Sequence, residues 1–135
     1  MPAFVWEPEY SVNIKIIDEQ HKKLIDTINI LYEAMSEGKG RTVLTKIFDN
    51  LAEYTTVHFA TEEDFMVRYS YPGYAEHKGE HDKCIAKVEE FKKKFDRKEI
   101  GLPIEIANFL VDWLHKHLMG MDQKYKVFFN EKGLV

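Results

Sequence analysis

Cysteine occurs once in this 135-residue chain, as Cys84, so no intramolecular disulfide can form and a secreted, disulfide-stapled scaffold is excluded. A reducing, cytoplasmic setting is the prediction that follows. The first ten residues lack a basic segment leading into an apolar one, which argues against a secretory leader, and no apolar run is long enough for a membrane span. Charge of one sign is also missing. The 19 basic and 23 acidic residues are interspersed and leave a formal charge of −4, so a nucleic-acid partner is not expected. Repeats and low-complexity tracts are absent, no stretch reads convincingly as a strand, and the four prolines and seven glycines fall in a few places that punctuate the chain.

What is present is amphipathic helix. Residues 1 to about 16 carry Pro2, Trp6, Pro8 and Tyr10 among β-branched residues, which predicts an extended N-terminal arm with Trp6 as its packing anchor. Asp18 is placed to cap the first helix, about 17–37, whose apolar face is Ile17, His21, Leu24, Ile28, Leu31 and Met35. A Gly38-Lys39-Gly40 turn precedes a second helix, about 42–69, with the face Leu44, Ile47, Leu51, Tyr54, His58, Glu62 and Phe65. Pro72 suits the first turn of a third, about 72–96, which carries His77, His81, Cys84 or Ile85, Val88, Phe91 and Phe95. Pro103 suits the start of a fourth, about 103–129, with Ala107, Leu110, Leu114, His117, Met121, Tyr125 and Phe128. Four such helices with short connections predict an all-α fold, an antiparallel up-down-up-down four-helix bundle, with residues 1–135 as a single domain.

The chemistry lies on the apolar faces. His58 and Glu62, four residues apart, point the way the core residues point, and no Lys or Arg shares their stripe. A buried carboxylate needs a neutralising charge, and a metal ion would supply it. Five of the six histidines (His21, His58, His77, His81 and His117) fall on these faces, at least one from each helix. Any one alone reads best as a hydrogen-bonded core histidine; five together do not. His77 and His81 form an i, i+4 chelating pair. Asp122 follows His117 by five residues, a step of roughly 140° on an ideal helix, so helix geometry alone leaves it at the edge of the stripe as a surface residue. Five nitrogens and two carboxylates exceed what one zinc takes and are too rich in nitrogen for calcium or magnesium; the count suits a pair of octahedral iron ions.

The runs IDEQHKKL around His21, HFATEE around His58 and Glu62, HKGEH for His77 and His81, and WLHKHLMGMDQKY for His117 and Asp122, after an arm with Trp6, resemble the hemerythrin family in its single-domain bacterial form. All seven ligand positions are filled: His21, His58, Glu62, His77, His81, His117 and Asp122. The resemblance implies two iron ions bridged by Glu62, Asp122 and a solvent-derived oxygen. His77, His81 and His117 would complete one iron, while His21 and His58 would leave the other an open position for dioxygen. It also implies a dry pocket walled by Leu24, Phe59, Trp113 and Leu114, residues whose ordinary reading is core packing. The implied function is reversible dioxygen binding, for storage or for delivery to an oxygen-consuming enzyme, by a protein that is not itself an enzyme.

Other readings compete. An oxygen or redox sensor is one, although no output module follows Val135; a peroxide- or nitric-oxide-reducing enzyme is another. His77 to His81 also matches H-x-x-E-H, a short zinc-peptidase signature, which would leave three histidines unexplained. The Glu-x-x-His pairs of ferritin-like di-iron centres are absent. His115, on another face from His117, reads as solvent-facing, Cys84 as a small buried hydrophobe, and Tyr32, Tyr54, Tyr69 and Tyr125 as packing residues able to donate hydrogen bonds near the ligands. The mixed-charge surface predicts a monomer.

Overall fold

The computed structural model describes residues 4–135, so Pro2 of the predicted arm lies outside it. Helix α1 is Lys15–Ser36. Helix α2 (44–68) follows a single 3-10 turn at Arg41–Val43. Helix α3 is Tyr74–Asp96, and helix α4 covers 102–131. Each packs on its neighbours in the chain, and α4 closes the ring against α1, giving the up-down-up-down bundle. No strand occurs among the described residues.

Local chemistry sets the ends. Gly38 (φ +73°) carries the chain past α1 in a left-handed conformation that a side chain would resist, and Lys39 N–H closes the turn on Ala34 O at 2.7 Å. Pro103 occupies the first turn of α4, where its missing N–H costs nothing. Two local expectations change. Helix α3 begins at Tyr74, so Pro72 lies in the preceding turn. Asp18 is not a cap: α1 starts three residues earlier, and from its first turn the Asp18 carboxylate accepts bonds from Val12 N–H (2.9 Å) and Ser11 Oγ–H (2.5 Å), tying the arm down. The arm is extended apart from one 3-10 turn, Pro8–Tyr10. It is clasped at its far end by Asn29, whose amide accepts from Phe4 N–H and donates to Phe4 O. Trp6 is half-buried, edge-on to Tyr10 at 5.9 Å with the Lys22 ammonium 5.0 Å from its ring centre.

Two helices are interrupted by π turns, Tyr54–His58 in α2 and His117–Met121 in α4. A π turn closes i to i+5 and absorbs one extra residue, so the buried stripe beyond it advances by one. In α4 the fully buried residues beyond the π turn are therefore Asp122, Tyr125 and Phe129, while Met121 and Phe128 are half-buried. In α2, Met66 takes the deep position expected of Phe65. Asp122 is completely buried, because a five-residue step across a π turn does what a four-residue step does in an α-helix.

The core has two apolar parts. One, including Leu24, Ile28, Leu51, Phe91, Leu110 and Leu114, fills most of the bundle; the other, Val12, Ile14, Ile17, Met66, Tyr125 and Phe129, fills one end. Burying each large side chain contributes about 1.5–3 kcal/mol. Along α1, α2 and α4 the cage histidines and carboxylates fall between residues of the first part and residues of the second. A polar layer thus lies between two dry ones.

Candidate metal centre

All five histidines predicted from the stripes are buried, as are both carboxylates, and all seven side chains meet in that layer. Two groups of donor atoms emerge, each within 4.8 Å: Glu62 with His77, His81 and His117, and Glu62 with His21 and His58. Glu62 belongs to both. Its Oε2 lies 3.2 Å from His77 Nε2, while its Oε1 faces His58 Nε2 and stands 3.7 Å from His21 Nε2. Asp122 divides likewise: Oδ1 lies 3.1 Å from His77 and 3.0 Å from His117, and Oδ2 lies 3.0 Å from His21. Each carboxylate therefore presents oxygen to both halves.

The outer nitrogens of two rings are anchored. His58 Nδ1–H donates to Gln20 Oε1 at 2.6 Å, and Gln20 Nε2–H donates in turn to Thr61 Oγ1. His81 Nδ1–H donates to Glu63 Oε2 at 2.8 Å. With the proton on Nδ1, each ring turns an Nε2 lone pair inward. His58 Nε2 then faces Glu62 Oε1, acceptor against acceptor, an arrangement that a cation between them would satisfy. The inward nitrogens of all five histidines and both oxygens of Glu62 and Asp122 are buried without a hydrogen-bond partner. Those orphans fit a metal ion held by nitrogen and carboxylate.

Protonation without a metal follows the same division. Burial pushes His81 down to about 3 and lowers His58, so both rings are neutral. Burial also pushes His21 and His77 down, but the Asp122 and Glu62 carboxylates outweigh it and lift them to about 9 and about 10. For Glu62 and Asp122 burial is opposed by the surrounding histidines, which hold both carboxyls below their ordinary range. Two imidazolium protons thus stand in for cationic charge in the metal-free cage.

Aromatic rings wall the cage. Phe59 stacks on His81 at 3.9 Å, Trp113 on His117 at 4.3 Å, Tyr54 on His58 at 4.7 Å and Tyr125 on His77 at 5.3 Å. Leu24 and Leu114 are buried in the adjoining apolar cluster. A half-open cleft of about 360 Å³ between α1 and α2 reaches His58, Leu24 and Tyr54.

Residues 12–128 match the family model described as the hemerythrin HHE cation binding domain. The chain belongs to the hemerythrin family. A bacteriohemerythrin of Clostridium acetobutylicum is 35% identical over 90% of this chain and 98% of its own length, and one of Stenotrophomonas maltophilia is 34% identical over 93% and 80%. A crystal structure of wild-type hemerythrin superposes with a TM-score of 0.83 at 32% identity, covering 92% of this chain and 95% of that one. The bundle is thus shared with these proteins by likeness of sequence and of fold.

Other sequence candidates fall outside the cage. His115 is exposed and meets the Tyr10 ring edge-on at 6.3 Å. Cys84 is buried, and burial pushes its thiol up to about 12, so it behaves as an inert small side chain. Glu80 of the H-x-x-E-H run is not among the grouped donors and pairs with Lys83 at 3.3 Å, so a peptidase would lack its base. Sequence reading missed Gln20 and Glu63; each adjoins a cage residue in the chain, and that adjacency is the signal they offered. None of the described helices is long and apolar enough to cross a membrane.

Proposed function

We propose that the chain binds dioxygen reversibly at two iron ions, for storage or for delivery to oxygen-requiring enzymes. The observation that carries this reading is the division of the cage into a three-histidine half and a two-histidine half joined by Glu62 and Asp122. His77, His81 and His117 would hold one iron, His21 and His58 the other, and Glu62 and Asp122 both. Such a pair supplies the electrons that make binding of dioxygen reversible.

The remaining work belongs to the chain. Gln20 and Glu63 fix the His58 and His81 rings with nitrogen inward. Leu24 and Leu114, buried in the adjoining apolar cluster, and Phe59 and Trp113, stacked on His81 and His117, supply apolar walls around the cage. The test is to load metal-free protein with ferrous iron under anaerobic conditions, then admit and withdraw oxygen while recording the visible spectrum. A charge-transfer band that appears and vanishes repeatedly at two irons per chain is expected; irreversible bleaching with no oxygenated form would overturn the carrier reading.

A further inference from the structure

Among the described residues, Tyr54 touches both the smaller half of the cage and apolar walls and carries a polar atom with nothing to bond. Its ring lies parallel to His58 at 4.7 Å and edge-on to Phe59 at 5.3 Å and to Trp113 at 6.4 Å. The residue is 8% exposed and its hydroxyl is buried with no hydrogen-bond partner. A buried hydroxyl without a partner destabilises a fold, and phenylalanine would fill the same space without that cost. Tyr125, the other buried phenol without a partner, differs because its hydroxyl lies near the Glu62 carboxylate. The Tyr54 ring lies against His58, Phe59 and Trp113, beside the cleft between α1 and α2.

We propose that the Tyr54 hydroxyl is a binding group of the small-ligand pocket, donating a hydrogen bond to a ligand of two or three atoms, such as dioxygen or azide, seated beside His21 and His58. This rests on the carrier reading of the centre. The π turn at Tyr54–His58 supports it, because Tyr54 stands one widened turn before His58 and lays its ring over the His58 ring. The site therefore combines apolar side chains with a weakly acidic donor, a combination that steadies a partly negative ligand without handing it a proton.

The test compares wild type with Tyr54→Phe. In the iron-loaded variant, azide affinity in the diferric state should fall and dioxygen release should quicken, each about fivefold, the scale of one neutral hydrogen bond. In D2O the ligand's resonance Raman bands should shift in wild type more than in the variant. The metal-free variant should melt no lower than wild type, since the hydroxyl has no partner there. Unchanged azide affinity and oxygen release would overturn the assignment while leaving the carrier intact, and so would a lower melting temperature of the metal-free variant, which would reveal a structural partner. A wild-type protein that takes up two irons but forms no complex with dioxygen or azide would overturn the carrier reading and this assignment with it.

Discussion

The two halves of the cage are built from the same materials and differ in how fully they are enclosed. Around His77, His81 and His117, imidazole rings crowd one another at 4.6, 4.8 and 5.2 Å, and three aromatic rings stack on their outer faces. His21 and His58 stand alone at 4.5 Å, with one stacked ring, Tyr54, and a cleft that reaches His58. The bridging carboxylates do not distinguish the halves, since each serves both. Asymmetry comes from the count of histidines and from the packing around them. One half is closely packed by aromatic rings, and the other is reached by a cleft.

Removing the shared element should erase the comparison. Glu62→Ala takes a donor from both halves, and metal analysis after desalting should find fewer than one iron per chain; two tightly held irons would show that the halves assemble independently. The next effect is unequal by design. His58→Ala leaves the smaller half with one histidine and should yield about one iron per chain, whereas His81→Ala leaves two histidines and should still reach two at saturating iron. Equal losses would mean the halves are equivalent.

A smaller effect concerns the wall. Leu114→Ala should cost about 2–5 kcal/mol of stability, read by denaturant unfolding, and let water reach the smaller half. Conversion to the inactive ferric form should then quicken, and unchanged kinetics would remove Leu114 from any gating role. The gentlest probe is pH. His21 and His77, one from each half, are lifted from the ordinary 6.5 to about 9 and about 10 in the metal-free cage. A raised pKa contributes stability that is complete below 6.5 and is lost as pH rises through the raised values. Metal-free protein should therefore lose melting temperature between about pH 7 and pH 10, and iron uptake near pH 8 should release about two protons per chain. Release of none would mean that the cage carries no such protons.

How much was legible in the sequence depended on periodicity. The five histidines and Glu62 stood out because each recurs with the apolar face of a regular helix, and the bundle was legible for the same reason. Asp122 did not, because its five-residue step from His117 is aligned only by a π turn, and nothing in the run Leu118-Met119-Gly120-Met121 announces one. Gln20 and Glu63 lie off the apolar stripes and look like surface residues until the rings they anchor are in place. Tyr54 was visible as packing, but that its hydroxyl is left unpaired depends on what surrounds it in three dimensions. Periodicity thus reports which way a side chain faces, and says little about what waits there.

The π turns have a consequence for chain length. Each absorbs one residue on the spot, so the side chains on either side keep facing as they would if that residue were absent. Removing one residue between His117 and Asp122 would turn them into an α-helical i, i+4 pair like His58 and Glu62, with Tyr125 and Phe129 still directed inward. Insertions and deletions in a helical bundle are ordinarily confined to loops, because elsewhere they rotate every later side chain out of place. Here, at the level of the cage, the helices contain their own places where a residue can be gained or lost without a change of face.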